Sequence, residues 1–288
     1  MSQQQRMYTG ILTQGSGKTF LVDSNGRRHL ENEKLWTGYA AHWLGLKVNA
    51  RYLPQVDYET GRKIAILWPF GEPSKQDYVE IYYNERLVKY PFSLMGHLAV
   101  NINGAIYNYS HLMNENEALT REEYFYRPAL GEFAPHPATG KFNVRDKNRP
   151  YYDMFGRNFM RTVHVLRIEG LDTGRLDNYF SNVLQEIHQA PDPKRPEKYR
   201  DFSLVKKSCV TIIRDGLRQY GFREIKGIFP RDLFINAAYY FLKLNGCDGM
   251  LVELYRMPQL KVAGAPHSAP TFIMNPVNRL LIRKLPDY

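Results

Sequence analysis

The chain has 288 residues, 43% hydrophobic and 24% charged, with 21 Tyr and 15 Phe, a composition that excludes a disordered or collagen-like protein. Its two cysteines, with no Cys-x-x-Cys and no His-Glu-x-x-His, exclude a disulfide framework and give no zinc-ligand spacing. The formal net charge of +10 favours an acidic counterpart such as nucleic acid, anionic lipid or a wall polymer, but the basic residues are scattered, which argues against a specific nucleic-acid role.

At the start, "MSQQQRMYTG" has no apolar signal core, and no later stretch approaches the roughly 18 apolar residues of a spanning helix. The sequence therefore predicts neither a secretory signal nor a membrane span, and synthesis in the cytoplasm. Residues 7–70 read as short strands split by turns: "MYTGILTQ", "TFLVDS", the segment after Asn25-Gly26-Arg27, "KVNARYLP" and "KIAILWPF". Short strands at this spacing predict a small closed β-barrel of the OB or SH3-like kind over residues 1–72, with the polar "GEPSKQD" as linker.

Within the first strands, Gly15-Ser16-Gly17-Lys18-Thr19 has the letters of a phosphate-binding loop. Such a loop needs a glycine where Leu12 stands and a helix after the lysine. Thr19 to Asp23 is instead β-branched and aromatic, so the glycines predict a hairpin turn and no nucleotide site.

From residue 78 the pattern changes to longer mixed elements, and residues 73–288 read as one α+β domain. "YVEIYY" and "TVHVLRIEG" are strands, and "GHLAVNINGAIYNYS" is a hairpin. Leu176, Tyr179, Phe180, Val183, Leu184 and Ile187 share one helical face behind a cap at Asp172 or Thr173. Further helices are expected from Cys209 to Tyr220, ended by Gly221, and from Pro230 to Asn245-Gly246. "KRPEKYR" reads as solvated surface, and "MLVELYR" and "RLLIRKL" as strands. Residues 115–160 form a long Pro-rich excursion.

The hairpin carries the first chemical signal. Asn103-Gly104 is the type I′ turn pair, which sets Ile102 opposite Ala105, Asn101 opposite Ile106, Ala99 opposite Asn108 and His97 opposite Ser110. Opposed residues share a face. His97, Ala99, Asn101, Ile106, Asn108 and Ser110 thus lie on one face, and the more apolar Leu98, Val100, Ile102, Ala105, Tyr107 and Tyr109 face inward. A histidine acts as a base only when its tautomer is fixed, and Asn108 or Ser110 is placed to fix it.

The second signal is Cys209, at the first turn of its helix behind Ser208 and close to Lys206 and Lys207. A helix N-terminus and nearby ammonium groups stabilise thiolate, the attacking species, and the free amides there suit an oxyanion. Cys247, in the "NGCDG" turn, reads as structural. His164 reads as packing, His188 as helix surface, and His136 and His267 as loop residues beside proline; His111 has the wrong parity for the His97 face. Glu122 and Glu123 are adjacent and so form no dyad on a helix.

His97 in "MGHLAVNINGAIYNYS" followed by Cys209 in "FSLVKKSCVTIIRDGL" resembles the circularly permuted NlpC-type papain-like enzymes, over roughly residues 78–245. The resemblance implies a permuted papain-like fold and a thiol peptidase or amidase acting on cell-wall peptides, with relatives that transfer or hydrolyse acyl groups on lipids. It assigns Cys209 as nucleophile and His97 as base, with the third polar position at Asn108 or Ser110. It implies a peptide or acyl substrate and no cofactor. A wall substrate in a periplasm would require export through a secretion apparatus, as for an antibacterial effector with a cognate immunity partner. Rival expectations are an acyltransferase, thioesterase or lipid hydrolase with an apolar groove beside Cys209, and a non-catalytic binding protein that uses a basic barrel.

Overall fold

Ser16 and Gly17 both take left-handed φ, 52° and 74°, the type I′ geometry whose twist matches that of a hairpin. Strand β1 (Met7–Gly15) therefore reverses directly into β2 (Lys18–Val22), with Gly15 opposite Lys18. Lys18 is exposed at the tip of this hairpin, where the sequence placed a turn. The computed structural model of the chain describes residues 6–31, 37–56, 62–71, 77–88, 94–127, 161–262 and 267–286. It divides into two units: Met1–Pro73 with Glu122–Met160 and Leu260–Pro266, and Ser74–Arg121 with Arg161–Gln259 and His267–Tyr288. The first unit is thus discontinuous, whereas the sequence reading divides the chain once, after residue 72.

In the first unit β3 (Arg28–His29), helix α1 (Thr37–Trp43), β4 (Lys47–Val56) and β5 (Lys63–Pro69) complete a five-stranded sheet in the order β3-β2-β1-β4-β5. The expected strands are present, but β3 and β5 do not pair, so the sheet is open and not the closed barrel the strand spacing suggested. A two-residue β3 offers too little edge to close a ring. Helix α1, which the sequence reading missed, supplies Tyr39: its buried hydroxyl shares its one proton between the carbonyls of Leu67 and Tyr126, each at 2.8 Å, and accepts from the Leu67 amide at 3.1 Å. Those bonds satisfy backbone groups of the edge strand β5.

The second unit begins with β6 (Tyr78–Asn84), the short β7 (Arg86–Leu87), β8 (His97–Ile102), β9 (Ala105–Asn108) and β10 (Glu117–Leu119). The chain then passes back into the first unit through α2 (Arg121–Tyr126), whose Glu122 and Glu123 hold Arg51 of that same unit at 3.1 and 2.8 Å, and residues 128–160 lie outside the described structure. The chain continues with β11 (Val163–Glu169), α3 (Thr173–His188), the small hairpin β12 (Pro191–Asp192) and β13 (Arg195–Tyr199), α4 (Cys209–Tyr220), α5 (Pro230–Leu244), β14 (Leu251–Met257), β15 (Ser268–Ala269) and α6 (Pro276–Leu281). "KRPEKYR" builds part of the β12–β13 hairpin, with Lys194, Arg195 and Arg200 exposed as the sequence reading expected and Tyr199 buried. "RLLIRKL" is not a strand: it belongs to α6 and a following 3-10 turn, Ile282–Lys284. Pro276 at the first helical position and the Asn275 cap, which accepts from the Val277 amide at 2.9 Å, decide that.

The six-stranded antiparallel sheet runs β10-β9-β8-β6-β11-β14. One face packs on the helices. Val79, Ile81, Leu98, Val100, Ile102 and Leu166 from the strands meet Leu176 and Phe180 of α3, Val210, Ile213 and Leu217 of α4, and Phe234 and Phe241 of α5 in one cluster. Each such side chain contributes about 1.5–3 kcal/mol by leaving water. The helix caps are those the sequence marks: Asp172 accepts from the Arg175 amide at 3.2 Å, and Gly221 ends α4 at φ 139°.

On the opposite face the fully buried Glu80 carboxylate is satisfied on every side. One oxygen accepts from Tyr82, from Asn101 at 2.9 Å and from Arg121 at 3.1 Å; the other accepts from Arg167 at 3.1 Å and Tyr255 at 3.0 Å. Such a network repays burial of the charge only while all its partners remain. Among the described residues no helix is long and apolar enough to cross a membrane.

Candidate active site

Asn103 and Gly104 have φ of 51° and 94°, and the register Ile102 to Ala105, Asn101 to Ile106 and Ala99 to Asn108 follows from that turn. Asn108 is therefore diagonal to His97 on the same face of the hairpin. The diagonal closes: His97 Nε2 lies 2.7 Å from Asn108 Oδ1. The amide's other end is fixed too, since Asn108 Nδ2 donates to the Glu115 carbonyl at 2.6 Å. An amide oxygen can only accept, so Nε2 carries a proton whether the ring is neutral or charged, and Nδ1 is the nitrogen left to take or give a proton.

Just before the histidine, Gly96 has φ 70°, and a Cβ there would stand 2.6 Å from the Asn84 carbonyl oxygen and 2.9 Å from the Tyr83 ring. Only glycine lets the chain enter β8 this close to β6. That tight entry fixes where the imidazole starts.

Cys209 comes to the same place from the helix. It is the first residue of α4, behind a capping box in which the Ser208 amide donates to Thr211 Oγ1 at 2.8 Å and the Thr211 amide to Ser208 Oγ at 3.4 Å. Its half-buried sulfur lies near enough to the His97 ring and to the backbone amides of Leu98 and Val210 for each to favour the thiolate. Burial pushes the thiol up, but the imidazolium charge, the His97 hydrogen bond and the two amides outweigh it, so its pKa lies below the ordinary thiol value.

For His97, burial pushes the imidazolium down; the Cys209 thiolate and hydrogen bonds to Cys209 and Asn108 outweigh that, while Arg161 opposes them. The net shift is upward. The two opposite shifts both favour transfer of the thiol proton to the ring, toward a thiolate–imidazolium pair. The Cys209 amide, first in its helix, has no intrahelical acceptor and suits an oxyanion formed at the attacked carbon.

The structure thus brings together three of the four residues singled out from sequence. Ser110 is not among them. Strand β9 ends at Asn108, so the pairing of His97 with Ser110 does not form; Ser110 Oγ instead donates to the Glu115 carboxylate and accepts from the Leu112 amide at 3.3 Å. Lys206 and Lys207 do not serve the thiolate as expected. Lys206 is exposed, and Lys207 engages Tyr199 and Glu186. Imidazole and backbone amides supply the stabilisation expected of them.

Of the other histidines, His164 is buried and bonded to Glu85 at 2.9 Å, His188 is exposed with its ring on the Asn116 carbonyl, His111 and His267 are exposed, and His136 lies outside the described residues. Cys247 is exposed. Sequence reasoning missed the Glu115 carbonyl that orients Asn108, the Leu98 amide on the sulfur, and Arg161. Backbone groups leave no trace in residue type, and Arg161 stands just after the unassigned excursion. Among the described residues no group of three or more His, Cys, Asp or Glu is placed to hold a metal ion. Comparison with known proteins finds no family model, no curated protein and no solved structure that matches the chain.

Proposed function

We propose that the second unit is a permuted papain-like domain of the NlpC type, and that the protein is a thiol hydrolase which cleaves an amide through an acyl-enzyme. The observation that carries this reading is the meeting of Cys209, His97 and Asn108 with the sulfur on a helix N-terminus and the ring held in one tautomer. Supporting it is the chain order, with the histidine strand before the cysteine helix.

The Cys209 thiolate attacks the carbonyl carbon, forming a C–S bond, while the Cys209 amide receives the developing oxyanion. His97 gives its proton to the departing nitrogen as the C–N bond breaks. Water then attacks the thioester, His97 takes a proton from it, and the thiolate is released with the acid product. The net charge of +10 suits an anionic cell-wall peptide. Such a target lies outside the cytoplasm.

A second reading, hydrolysis or transfer of an acyl group held as an ester or thioester, is favoured by one observation. The tight turn closed by Ser203 and Lys207 presents Leu204 and Val205, 66% and 60% exposed, four or five residues ahead of Cys209. Those side chains offer an apolar rim to an acyl chain.

Incubation of the full chain with muropeptides and with medium-chain acyl esters, followed by mass spectrometry of protein and products, tests and separates the two. An acyl adduct on Cys209, absent in Cys209→Ala, with turnover of muropeptides supports the amidase; turnover of esters alone supports the second reading. Turnover that survives Cys209→Ala would exclude both.

A further inference from the structure

Among the described residues of the second unit, exposed large apolar side chains elsewhere come singly or as the Leu204 and Val205 pair, but four fall within nine residues near its end: Phe272, Met274, Val277 and Leu280, at 82%, 53%, 57% and 60% exposure. The backbone beneath them is anchored. Asp232 of α5, 1% exposed, accepts from the amides of Met274 at 3.0 Å and Asn275 at 2.9 Å and from Asn278 Nδ2 at 3.1 Å. The Thr271 amide donates to Tyr83 at 2.9 Å, Arg231 donates to the Thr271 carbonyl, and Arg279 Nε donates to the Ile273 carbonyl at 2.9 Å. A segment so held displays its apolar side chains as a fixed ridge.

The charged side chains within the described part of this segment have one sign. Residues 267–286 contain Arg279, Arg283 and Lys284, all exposed, and the next acid in the sequence is Asp287. Lys284 and Lys243 of α5 each place their ammonium 5.6 Å from the Tyr239 ring centroid, so two cations gather on one ring, and among the described residues neither forms an ion pair with a carboxylate. Like charges brought together in this way favour an anionic counterpart.

We propose that residues 271–284 are an interfacial docking element that seats the second unit on an anionic lipid bilayer. Phe272, Met274, Val277 and Leu280 enter the boundary between headgroups and acyl chains, while Lys243, Arg279, Arg283 and Lys284 meet lipid phosphates. A protein partner fits less well, because the centres of protein interfaces are depleted of lysine and these cations interleave with the apolar residues. Six helical residues in α6 are too few to span, so the element lies on the surface.

Thr271 also contacts the Tyr83 hydroxyl, at 3.0 Å, and that tyrosine flanks Gly96, the residue before His97. The element therefore starts beside the candidate site. Docking does not depend on the thiol chemistry, and its test uses protein without the thiol.

The full-length Cys209→Ala protein is floated with vesicles of phosphatidylcholine alone and of equal parts phosphatidylcholine and phosphatidylglycerol. Binding is expected to the anionic vesicles only, weakening as salt is raised. The double substitution Phe272→Ser with Leu280→Ser should weaken it roughly tenfold or more. Arg283→Gln with Lys284→Gln should weaken it by roughly thirtyfold, two surface charges' worth. All these positions are exposed, and circular dichroism checks that the variants keep the fold.

No binding to anionic vesicles would overturn the proposal, as would binding that survives Phe272→Ser with Leu280→Ser. Self-association in sedimentation that the same double substitution abolishes, without vesicle binding, would assign the ridge to a second copy of the chain instead.

Discussion

Asn108→Ala removes one short bond whose consequences can be followed through the site. The Asn108 oxygen accepts from His97 Nε2 at 2.7 Å, and the amide that holds that oxygen in place is bonded to the Glu115 carbonyl. Losing it leaves a half-buried ring N–H without its acceptor, a loss of about 1–3 kcal/mol. It also frees the ring to rotate away from the sulfur. At about 1.36 kcal/mol per decade, that corresponds to roughly a five- to 150-fold fall in reactivity that depends on the ion pair.

The direction on the pH axis follows from the causes of the shift. Burial pushes the His97 pKa down, and the thiolate and Asn108 hold it up. Without Asn108 the imidazolium deprotonates at lower pH, so the basic limb of the ion-pair window moves down, and the less stabilised thiol moves up. The second-order rate of Cys209 alkylation by iodoacetamide, followed across mildly acidic to basic pH, reads both limbs. Asn108→Asp keeps an acceptor at the same position and should restore most of the rate, which a merely structural role for Asn108 would not require. An Asn108→Ala protein that alkylates as fast as the natural one, with the same pH profile, would refute the reasoning.

Ser110→Ala should leave Cys209 alkylation unchanged, because its hydroxyl serves the Glu115 turn and not His97; a loss like that of Asn108→Ala would return Ser110 to the site. Gly216→Ala should destabilise despite a gain of about 1 kcal/mol in helix propensity. The new Cβ would meet the Tyr179 ring at 2.7 Å and the fully buried Phe180 ring at 2.8 Å, where overpacking costs about 1–3 kcal/mol; thermal unfolding measures the net sign. Glu80→Ala should cost about 3–5 kcal/mol, since it leaves the Arg167 guanidinium and the Tyr82 and Tyr255 hydroxyls without their shared carboxylate. Chemical denaturation of that variant is the check.

What could be read from sequence was whatever local chemistry dictates. The Asn103-Gly104 turn fixed the register that places Asn108 diagonal to His97, and Ser208, Gly221, Asp172 and Pro230 marked helix ends that the structure keeps. Closure of the first sheet was not legible, because strand spacing carries no information on whether the outer strands meet. "RLLIRKL" misled for a related reason: a short apolar run fits a buried strand or one helical turn, and only the Asn275-Pro276 cap before it tips the balance. Asn108 was separated from Ser110 by the point where β9 stops, a tertiary matter set by Asn116, which takes the Ser110 amide on its side chain at 2.9 Å. Glu80 and its arginines were invisible because their meeting depends on the register of β6, β8, β11 and β14 together.

The proposed chemistry needs a proton shared between Cys209 and His97, and the pH dependence of Cys209 alkylation measures it most directly, with exposed Cys247 as the control in the same molecule. A lowered thiol pKa means that the thiolate persists below the ordinary thiol range and disappears only as pH falls through the lowered value. A raised imidazole pKa means that the charge opposite it persists until pH rises through the raised value. Cys209 is therefore expected to react at mildly acidic pH, well ahead of Cys247, and in His97→Ala its profile should move up into the ordinary thiol range. Equal rates and a common pH profile for both cysteines, unchanged by His97→Ala, would contradict it.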